Sequence, residues 1–279
     1  MRIIQISDTH LSREHGDFAA NLAIVGEEVA ATAADLVIHT GDLSMNGAVG
    51  PDDLDDALAW MRTLPQPALW LPGNHDVGDL PDLRADQRLD DERLARYRDR
   101  AGDDRWMRDA GGWRLIGLDA MLCATGHPDE HRQYEWLEAA LAVTGPVALF
   151  LHKPLFVDDP NEPARGYWTI PPAPRRRILD LLARADVRLI ASGHLHVARH
   201  ARFGETDHVW CPSAAFVCGP SQIGVPGERR IGYVVHELDP DRVESRFVFP
   251  AGAEPLPIEP RLDRIYPGPS AADDRSAVA

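Results

Sequence analysis

Cysteine, long apolar runs and internal repeats are scarce or missing in this 279-residue sequence. The three cysteines, Cys123, Cys211 and Cys218, are too few and too widely spaced for a disulfide framework or a structural zinc site. Reduced thiols of this kind are typical of a cytoplasmic protein. No apolar stretch approaches the ~20 residues that a membrane-spanning helix needs, so we expect no membrane partner.

Positive charge is also in deficit. The chain has 29 Lys and Arg against 44 Asp and Glu, a formal net charge of −15. A nucleic-acid polymer is a disfavoured partner, because binding it requires a basic surface that releases counterions from phosphates. An anionic small molecule is still compatible, since bound divalent cations can dominate the field of a site. Residues 2–7 begin an apolar strand rather than a basic and apolar leader, so we expect a cytoplasmic protein.

Strand and helix patterns alternate along most of the chain, which predicts an α/β fold with a largely parallel sheet. A β-rich part follows residue 196. We predict one domain over residues 1–249 and an extended or disordered tail over 250–279, because the tail has Pro, Gly, Asp and Ala without periodicity. Strands are predicted at 2–7, 36–40, 68–71, 106–109, 113–119, 147–151 and 187–192, and helices at 18–34, 51–64, 83–100, 133–141 and 175–185.

Side chains of the metal-ligating type follow five of these strands directly. They are Asp8 and His10, then Asp42, then Asn74 and His75, then His152, and finally His194 and His196. Because ligands of parallel sheets bind beyond the carboxyl ends of the strands, we expect these side chains to meet. Packing does not explain five such endings, since a strand needs no such chemistry in order to stop. The pattern therefore predicts one shared metal site.

The number of candidate ligands predicts two metal ions. Seven candidate ligands exceed the four positions of one tetrahedral zinc ion: Asp8, His10, Asp42, Asn74, His152, His194 and His196. Asp42 suits a bridge between two ions, because its carboxylate has two oxygens. A mixture of imidazole, carboxylate and amide ligands fits zinc, iron or manganese better than copper or calcium.

The complete motif set resembles that of the calcineurin-like metallophosphoesterases. The resemblance covers about residues 1–240, and every motif is present in order. The motifs are Asp8-Thr9-His10, Gly41-Asp42, Gly73-Asn74-His75-Asp76, His152 and Gly193-His194-Leu195-His196. The resemblance implies a four-layer αββα sandwich of two mixed sheets.

The resemblance also implies a role for each motif residue. One ion takes Asp8, His10, Asp42 and His196, and the other takes Asp42, Asn74, His152 and His194. His75 is then not a ligand but the catalytic histidine that protonates or stabilises the leaving oxygen. Asp76 either orients His75 or a ligand, or caps the following turn. The implied reaction is attack on phosphorus by a hydroxide that two metals activate.

Within the family, the chain resembles the bacterial branch that includes class III cyclic-nucleotide phosphodiesterases and glycerophosphodiesterases. This similarity rests on the compact length and on the pattern Gly41-Asp42-Leu43 with Gly47. It implies a phosphodiesterase for a small diester, with a 3′,5′-cyclic nucleotide favoured. Lys153 departs from the pattern, since many cyclic-nucleotide members have a second histidine there. The alternatives are a phosphomonoesterase for a nucleotide or sugar phosphate and a non-catalytic metal-binding scaffold.

Further candidates lie in loops that can reach the strand ends. We expect His15, His127 and Tyr167 to contact the substrate. Lys153 either meets the phosphate or lies on the surface. The loop over residues 154–174 and the tail after residue 250 are candidates for substrate selection or for contacts in a homo-oligomer, and the sequence does not choose between these roles.

Overall fold

The computed structural model describes residues 1–80, 83, 87–220, 222 and 224–265. Within these residues, the strands form two mixed sheets. The strands are β1 (Arg2–Ile6), β2 (Leu36–His39), β3 (Ala68–Trp70), β4 (Trp106–Ala110), β5 (Trp113–Leu118), β6 (Val147–Leu151), β7 (Val187–Ser192), β8 (Arg199–Phe203), β9 (Thr206–Trp210), β10 (Tyr233–Asp239) and β11 (Arg242–Val248). The helices are α1 (Ala19–Ala31), α2 (Asp52–Met61), α3 (Asn74–Val77), α4 (Asp91–Ala101), α5 (Pro128–Ala140), α6 (Pro172–Leu182) and α7 (Leu262–Ile265).

Each sheet has a parallel centre and antiparallel additions. The first has the order β11-β10-β1-β2-β3, in which β1, β2 and β3 are parallel, β10 pairs antiparallel with β1, and β11 pairs antiparallel with β10. The second has the order β4-β5-β6-β7-β9-β8, in which β5, β6, β7 and β9 are parallel and the edge strands β4 and β8 are antiparallel. The predicted alternation of strands and helices and the mixed sheets are confirmed.

The two sheets pack face to face and carry helices on their outer faces. Alternation along β1 places Ile3 in the core between the sheets and Ile4 in the core beneath α1 and α2. In the second sheet, Phe150 faces the first sheet, and Leu149 lies in the core with α5 and α6. The resulting four layers are the αββα arrangement that the sequence resemblance implied.

Two helices begin later or earlier than the sequence pattern indicates. Helix α5 begins at Pro128 because the His127 ring accepts a hydrogen bond from the Asp129 backbone N–H and proline suits the first helical turn. Helix α4 begins at Asp91 and is capped by Asp90, whereas the predicted helix began at residue 83. Residues 84–86 of that predicted helix lie outside the described residues. Within the described part of the chain, no helix is long and apolar enough to cross a membrane.

The tail after residue 249 departs from the prediction of an extended or disordered arm. Residues 250–265 fold back onto the body, where Ile258 and Ile265 are buried with Phe18 and Phe216. The Ile258 N–H donates to the Val217 carbonyl oxygen. Isolated isoleucines among prolines give no periodic signal, yet each buries an apolar side chain. The remainder of the predicted arm, residues 266–279, lies outside the described residues.

His236 is a buried histidine in β10 whose titration is linked to folding. Its Nδ1 lies 2.8 Å from Ser245 Oγ and its Nε2 lies 3.1 Å from Gln5 Oε1. Burial lowers the pKa of His236 from the ordinary 6.5 to about 3. The unfolded chain therefore binds a proton that the folded protein does not, and the free energy of unfolding falls as the pH drops from 6.5 towards 3.

We predict that His236→Gln flattens this dependence on acid. Urea unfolding at several pH values should give a slope between pH 6 and pH 4 that is smaller than the wild-type slope by about 1 kcal/mol per pH unit. His131→Gln is the matched control, because it places the same amide side chain at an imidazole that is 66% exposed. Parallel curves for His236→Gln and the wild type would contradict the prediction.

Candidate metal centre

All seven predicted metal ligands lie at the carboxyl ends of parallel strands. Each is buried, with at most 4% of its surface exposed. Asp8 and His10 follow β1, Asp42 follows β2, Asn74 begins α3 after β3, His152 follows β6, and His194 and His196 follow β7. Six of them fall into two groups whose ligating atoms lie within 4.8 Å of one another: Asp8, His10 and His196, and Asp42, His152 and His194.

The backbone at these strand ends is held in a costly conformation. The φ angles are positive at five ligands: 56° at Asp8, 43° at His10, 54° at Asp42, 67° at His194 and 52° at His196. Residues other than glycine adopt this left-handed region uncommonly, Asp and His more readily than most, and the surrounding structure has to hold it. Hydrogen bonds between neighbouring turns do so here, since the Asp8 N–H donates to the Gly41 carbonyl and the His10 N–H to the Asp42 carbonyl.

Two glycines give the ligands room to approach the backbone. A Cβ on Gly73 would lie 2.2 Å from Asp42 Oδ1, and a Cβ on Gly41 would lie 2.6 Å from His152 Nδ1. Gly41 also has a φ of 91°, which a larger residue adopts at a cost. The two glycines of the Gly41-Asp42 and Gly73-Asn74 motifs are therefore required by the packing of the ligands themselves.

The first ligand group consists of Asp8, His10 and His196. His196 Nε2 lies 3.2 Å from Asp8 Oδ1 and 3.3 Å from His10 Nε2. Asp8 Oδ1 is buried and has no partner of hydrogen-bond geometry. A buried carboxylate oxygen is costly unless a positive charge compensates it. This group therefore has the donor set and the unpaired oxygen that fit a divalent cation.

The second ligand group lies on the other side of Asp42. Asp42 Oδ2 is 3.3 Å from His152 Nε2, which is 3.2 Å from Asn74 Oδ1. The His194 ring lies edge-on to His152, with 5.0 Å between centroids. Asp42 Oδ2 also lies 3.6 Å from His10 Nε2 in the first group. Asp42 thus contacts both groups, which is the position that a bridging carboxylate requires.

Backbone carbonyl groups fix the orientation of three of the imidazoles. His152 Nδ1 lies 2.8 Å from the Thr40 oxygen, His196 Nδ1 lies 2.8 Å from the Phe216 oxygen, and His194 Nε2 lies 2.8 Å from the Tyr167 oxygen. A carbonyl oxygen can only accept, so these nitrogens carry hydrogens in each ring. The opposite nitrogens then present lone pairs, as in histidines that bind metals.

The charges of the two groups are tightly coupled. Burial alone raises the pKa of Asp42, but His152, His75 and His10 outweigh it and hold that pKa well below its usual range. Burial lowers the pKa of His152, whereas Asp42 and Asp8 raise it to about 9. Asp42 thus stays ionised beside an imidazole that binds a proton, and a metal cation would compete with that proton for the site.

His75 lies beside the ligands: it forms a third group of ligand-type atoms with His10 and Asp42, and a backbone carbonyl holds its ring, as in three of the ligand histidines. Its Nδ1 lies 2.8 Å from the Met45 carbonyl oxygen, and its ring packs edge-on against His10 at 4.7 Å. Its backbone N–H donates to Asp42 Oδ1. Asp76 accepts hydrogen bonds from the Leu43, Ser44 and Gly73 backbone N–H groups, which favours the capping role over the orienting of His75.

The three predicted substrate contacts lie in different surroundings. His127 caps α5 through Nδ1, and its Nε2 lies 2.9 Å from Asp91 Oδ1. His15 lies half-buried in the loop before α1. Tyr167 is the one of the three that meets the ligands, through hydrogen bonds with Asn74 and His194. Substrate contact by all three residues stays a prediction.

Two supporting residues were misjudged or missed at the level of sequence. Lys153 is neither on the surface nor turned to solvent: it is buried, and its Nζ lies 2.8 and 2.7 Å from the two Asp79 oxygens. Phe216 packs against His10 and His196, with centroid distances of 4.6 and 4.5 Å. Nothing in the local sequence around Phe216 indicates this contact, because it joins segments that are far apart in the chain.

Residues 1–198 match the family model of the calcineurin-like phosphoesterases. The chain belongs to this family. It is accordingly a phosphoester hydrolase with candidate metal-ligand groups at the carboxyl ends of its strands.

Two curated relatives have different named activities. A probable cyclic nucleotide phosphodiesterase of Synechococcus sp. is 29% identical over 218 residues, which cover 74% of this chain and 73% of that protein. Serine/threonine-protein phosphatase CPPED1 of Bos taurus is 26% identical over 155 residues, which cover 52% of this chain and 47% of that protein. The chain thus aligns with about half the length of the bovine phosphatase.

Solved structures show the same fold at low identity. A dimetal phosphatase from Danio rerio superposes with a TM-score of 0.61 at 16% identity, covering 88% of this chain and 95% of that chain. GAP50 of Plasmodium superposes with a TM-score of 0.62 at 15% identity, covering 92% of this chain and 86% of that chain. The two-sheet architecture is therefore shared well beyond detectable sequence similarity.

The contacts of Asp42 with both groups predict an asymmetry between two carboxylate variants. Asp42→Asn should weaken both sites, whereas Asp8→Asn should weaken one. After loading with Mn²⁺ and desalting, elemental analysis should find about two ions in the wild type, about one in Asp8→Asn and fewer in Asp42→Asn. Equal metal contents in the two variants would show that Asp42 is not shared.

Proposed function

We propose that this chain is a metal-dependent phosphodiesterase that hydrolyses a small phosphodiester, with a 3′,5′-cyclic nucleotide as the favoured substrate. The observation that carries the proposal is the pair of buried ligand groups that meet at Asp42. The relative named as a probable cyclic nucleotide phosphodiesterase, aligned over 74% of the chain, supports the choice of substrate class.

The proposed ligands divide between two ions. Asp8, His10, Asp42 and His196 hold one, and Asp42, Asn74, His152 and His194 hold the other. The proposed metals are manganese, iron or zinc, which accept imidazole together with carboxylate and amide oxygens. When bound, such ions supply Lewis acidity toward the phosphoryl oxygens and the attacking water.

The residues of the chain then orient the substrate and move protons. The interlocked strand-end turns hold the ligands in place before substrate arrives, so little reorganisation is needed in the transition state. His75 is proposed as the general acid for the leaving oxygen. Its Nδ1 contact with the Met45 carbonyl holds the ring beside His10 and Asp42, at the edge of both ligand groups.

The charge next to the ligands favours a diester over a monoester. A phosphate monoester carries close to two negative charges at neutral pH, one more than a diester. Lys153 is the cation that follows His152, but Asp79 neutralises it through both carboxylate oxygens. Lys153 therefore contributes little to stabilising the extra negative charge of a monoester, and a diester does not carry that charge.

A phosphomonoesterase is the second candidate. The match to CPPED1, a serine/threonine-protein phosphatase, supports this candidate. That match covers 52% of the chain. The two candidates share the metal chemistry and differ in the charge that the site must hold. Their relative rates on matched synthetic esters therefore separate them.

The cytoplasm is the proposed compartment. Cys123, Cys211 and Cys218 are all unpaired, as is typical of a reducing environment.

The proposal predicts a preference among three substrates in Mn²⁺. Bis-p-nitrophenyl phosphate should be hydrolysed with a kcat/KM at least about tenfold above that of p-nitrophenyl phosphate, equivalent to about 1.4 kcal/mol. 3′,5′-Cyclic AMP should turn over with a KM in the micromolar range typical of enzymes. Asp42→Asn is the blank for each substrate. Faster hydrolysis of the monoester would favour a phosphomonoesterase instead.

His75→Ala is predicted to separate metal binding from turnover. The variant should retain the wild-type metal content but hydrolyse the diester about 10²–10⁴-fold more slowly, as expected for loss of a general acid. His131→Ala is the control, since that exposed imidazole pairs with Glu135 on α5. Loss of metal from His75→Ala would make His75 a ligand and overturn its assigned role.

A further inference from the structure

Tyr167 joins a loop to two of the proposed ligands. It lies in a short 3-10 turn, Gly166–Trp168, between β6 and α6. Its hydroxyl accepts a hydrogen bond from Asn74 Nδ2 at 2.8 Å, and its carbonyl oxygen lies 2.8 Å from His194 Nε2. The Tyr167 and His194 rings also pack together, with 4.7 Å between centroids.

The hydroxyl of Tyr167 determines which end of the Asn74 amide faces the ligand group. The amide nitrogen donates to the hydroxyl, so Oδ1 points toward His152 Nε2, 3.2 Å away. Only the oxygen of a carboxamide can bind a metal ion, because its nitrogen has no available lone pair. A contact that holds the nitrogen therefore also presents the ligating oxygen.

The carbonyl of Tyr167 has the same effect on His194. A hydrogen on Nε2 is donated to this oxygen, so the lone pair of the neutral ring is on Nδ1. Such partners set the tautomer and the ring orientation of metal-binding histidines. One residue thus orients two ligands of the same group, once through its side chain and once through its backbone.

The loop that carries Tyr167 is anchored without the ligands. Glu162 accepts hydrogen bonds from the Val157 and Asp158 backbone N–H groups. Arg175 is buried and donates to the Leu155 and Glu162 carbonyl oxygens. These bonds hold the loop on both sides of Tyr167 without using the ligands.

The other ligand group is held by backbone groups rather than by the Tyr167 hydroxyl, and one of these groups belongs to His194. His196 is held by the Phe216 carbonyl, and the His194 backbone N–H donates to Asp8 Oδ2. A change confined to the Tyr167 hydroxyl therefore acts on one group and spares the other.

We propose that Tyr167 is a positioning residue that sets the affinity of the Asn74, His152 and His194 group for its metal ion. The inference rests on the ligand sets of the proposed function, but not on the identity of the phosphoester.

The test is calorimetric titration of the metal-free protein with Mn²⁺. Wild type should show two binding steps. Tyr167→Phe should weaken one of them by about 10- to 100-fold and leave the other unchanged. Tyr233→Phe is the matched control, because it removes a buried hydroxyl that lies 3.2 Å from Thr32 Oγ1, away from both groups. Two unchanged steps in Tyr167→Phe would overturn the inference.

Two further results separate the possible failures. Fewer than two steps in the wild type would contradict the proposed ligand sets rather than the role of Tyr167. Hydrogen exchange of the wild type gives a readout that does not depend on the variant. Mn²⁺ should slow the exchange of amides in the segment around Tyr167. Slowed exchange at His194 with an unchanged rate around Tyr167 would contradict the proposed role of Tyr167 in metal binding.

Discussion

Two buried carboxylates, Asp8 and Asp42, impose the strongest physical demand on this structure. Removing an ionised carboxylate from water is costly unless hydrogen bonds and positive charge compensate it. Backbone N–H groups supply part of the compensation, since His194 donates to Asp8 and His75 donates to Asp42. Asp8, Asp42 and His194 all adopt positive φ angles in the turns where these groups meet. The costs of burial and of backbone strain thus converge on one place, as they do at functional sites.

Much of the site could be predicted because its ligands lie at fixed offsets from strand ends. The strands at 147–151 and 187–192 were predicted with the bounds that the structure has, so His152, His194 and His196 had to emerge at their carboxyl ends. The meeting of two ligand groups then follows from the parallel order of the strands. The alternation of strands and helices predicts the parallel parts of the sheets, whereas the four layers are what the family resemblance implies.

What could not be predicted depends on pairing between distant segments. Lys153 gives no sign in the sequence that Asp79 will neutralise it, and Tyr167 gives none that its hydroxyl will hold Asn74. The folded-back tail was missed for a similar reason: Ile258 is buried by residues such as Phe18, more than two hundred positions away. Local patterns report periodicity, whereas these contacts are fixed only when the layers assemble.

Two metal ions are proposed to bind on either side of Asp42. Anomalous diffraction from crystals grown with Mn²⁺ tests this proposal most directly. We predict two anomalous peaks, one among Asp8, His10 and His196 and one among Asn74, His152 and His194, both in contact with the Asp42 carboxylate. A single peak, or two peaks that do not share Asp42, would contradict the account.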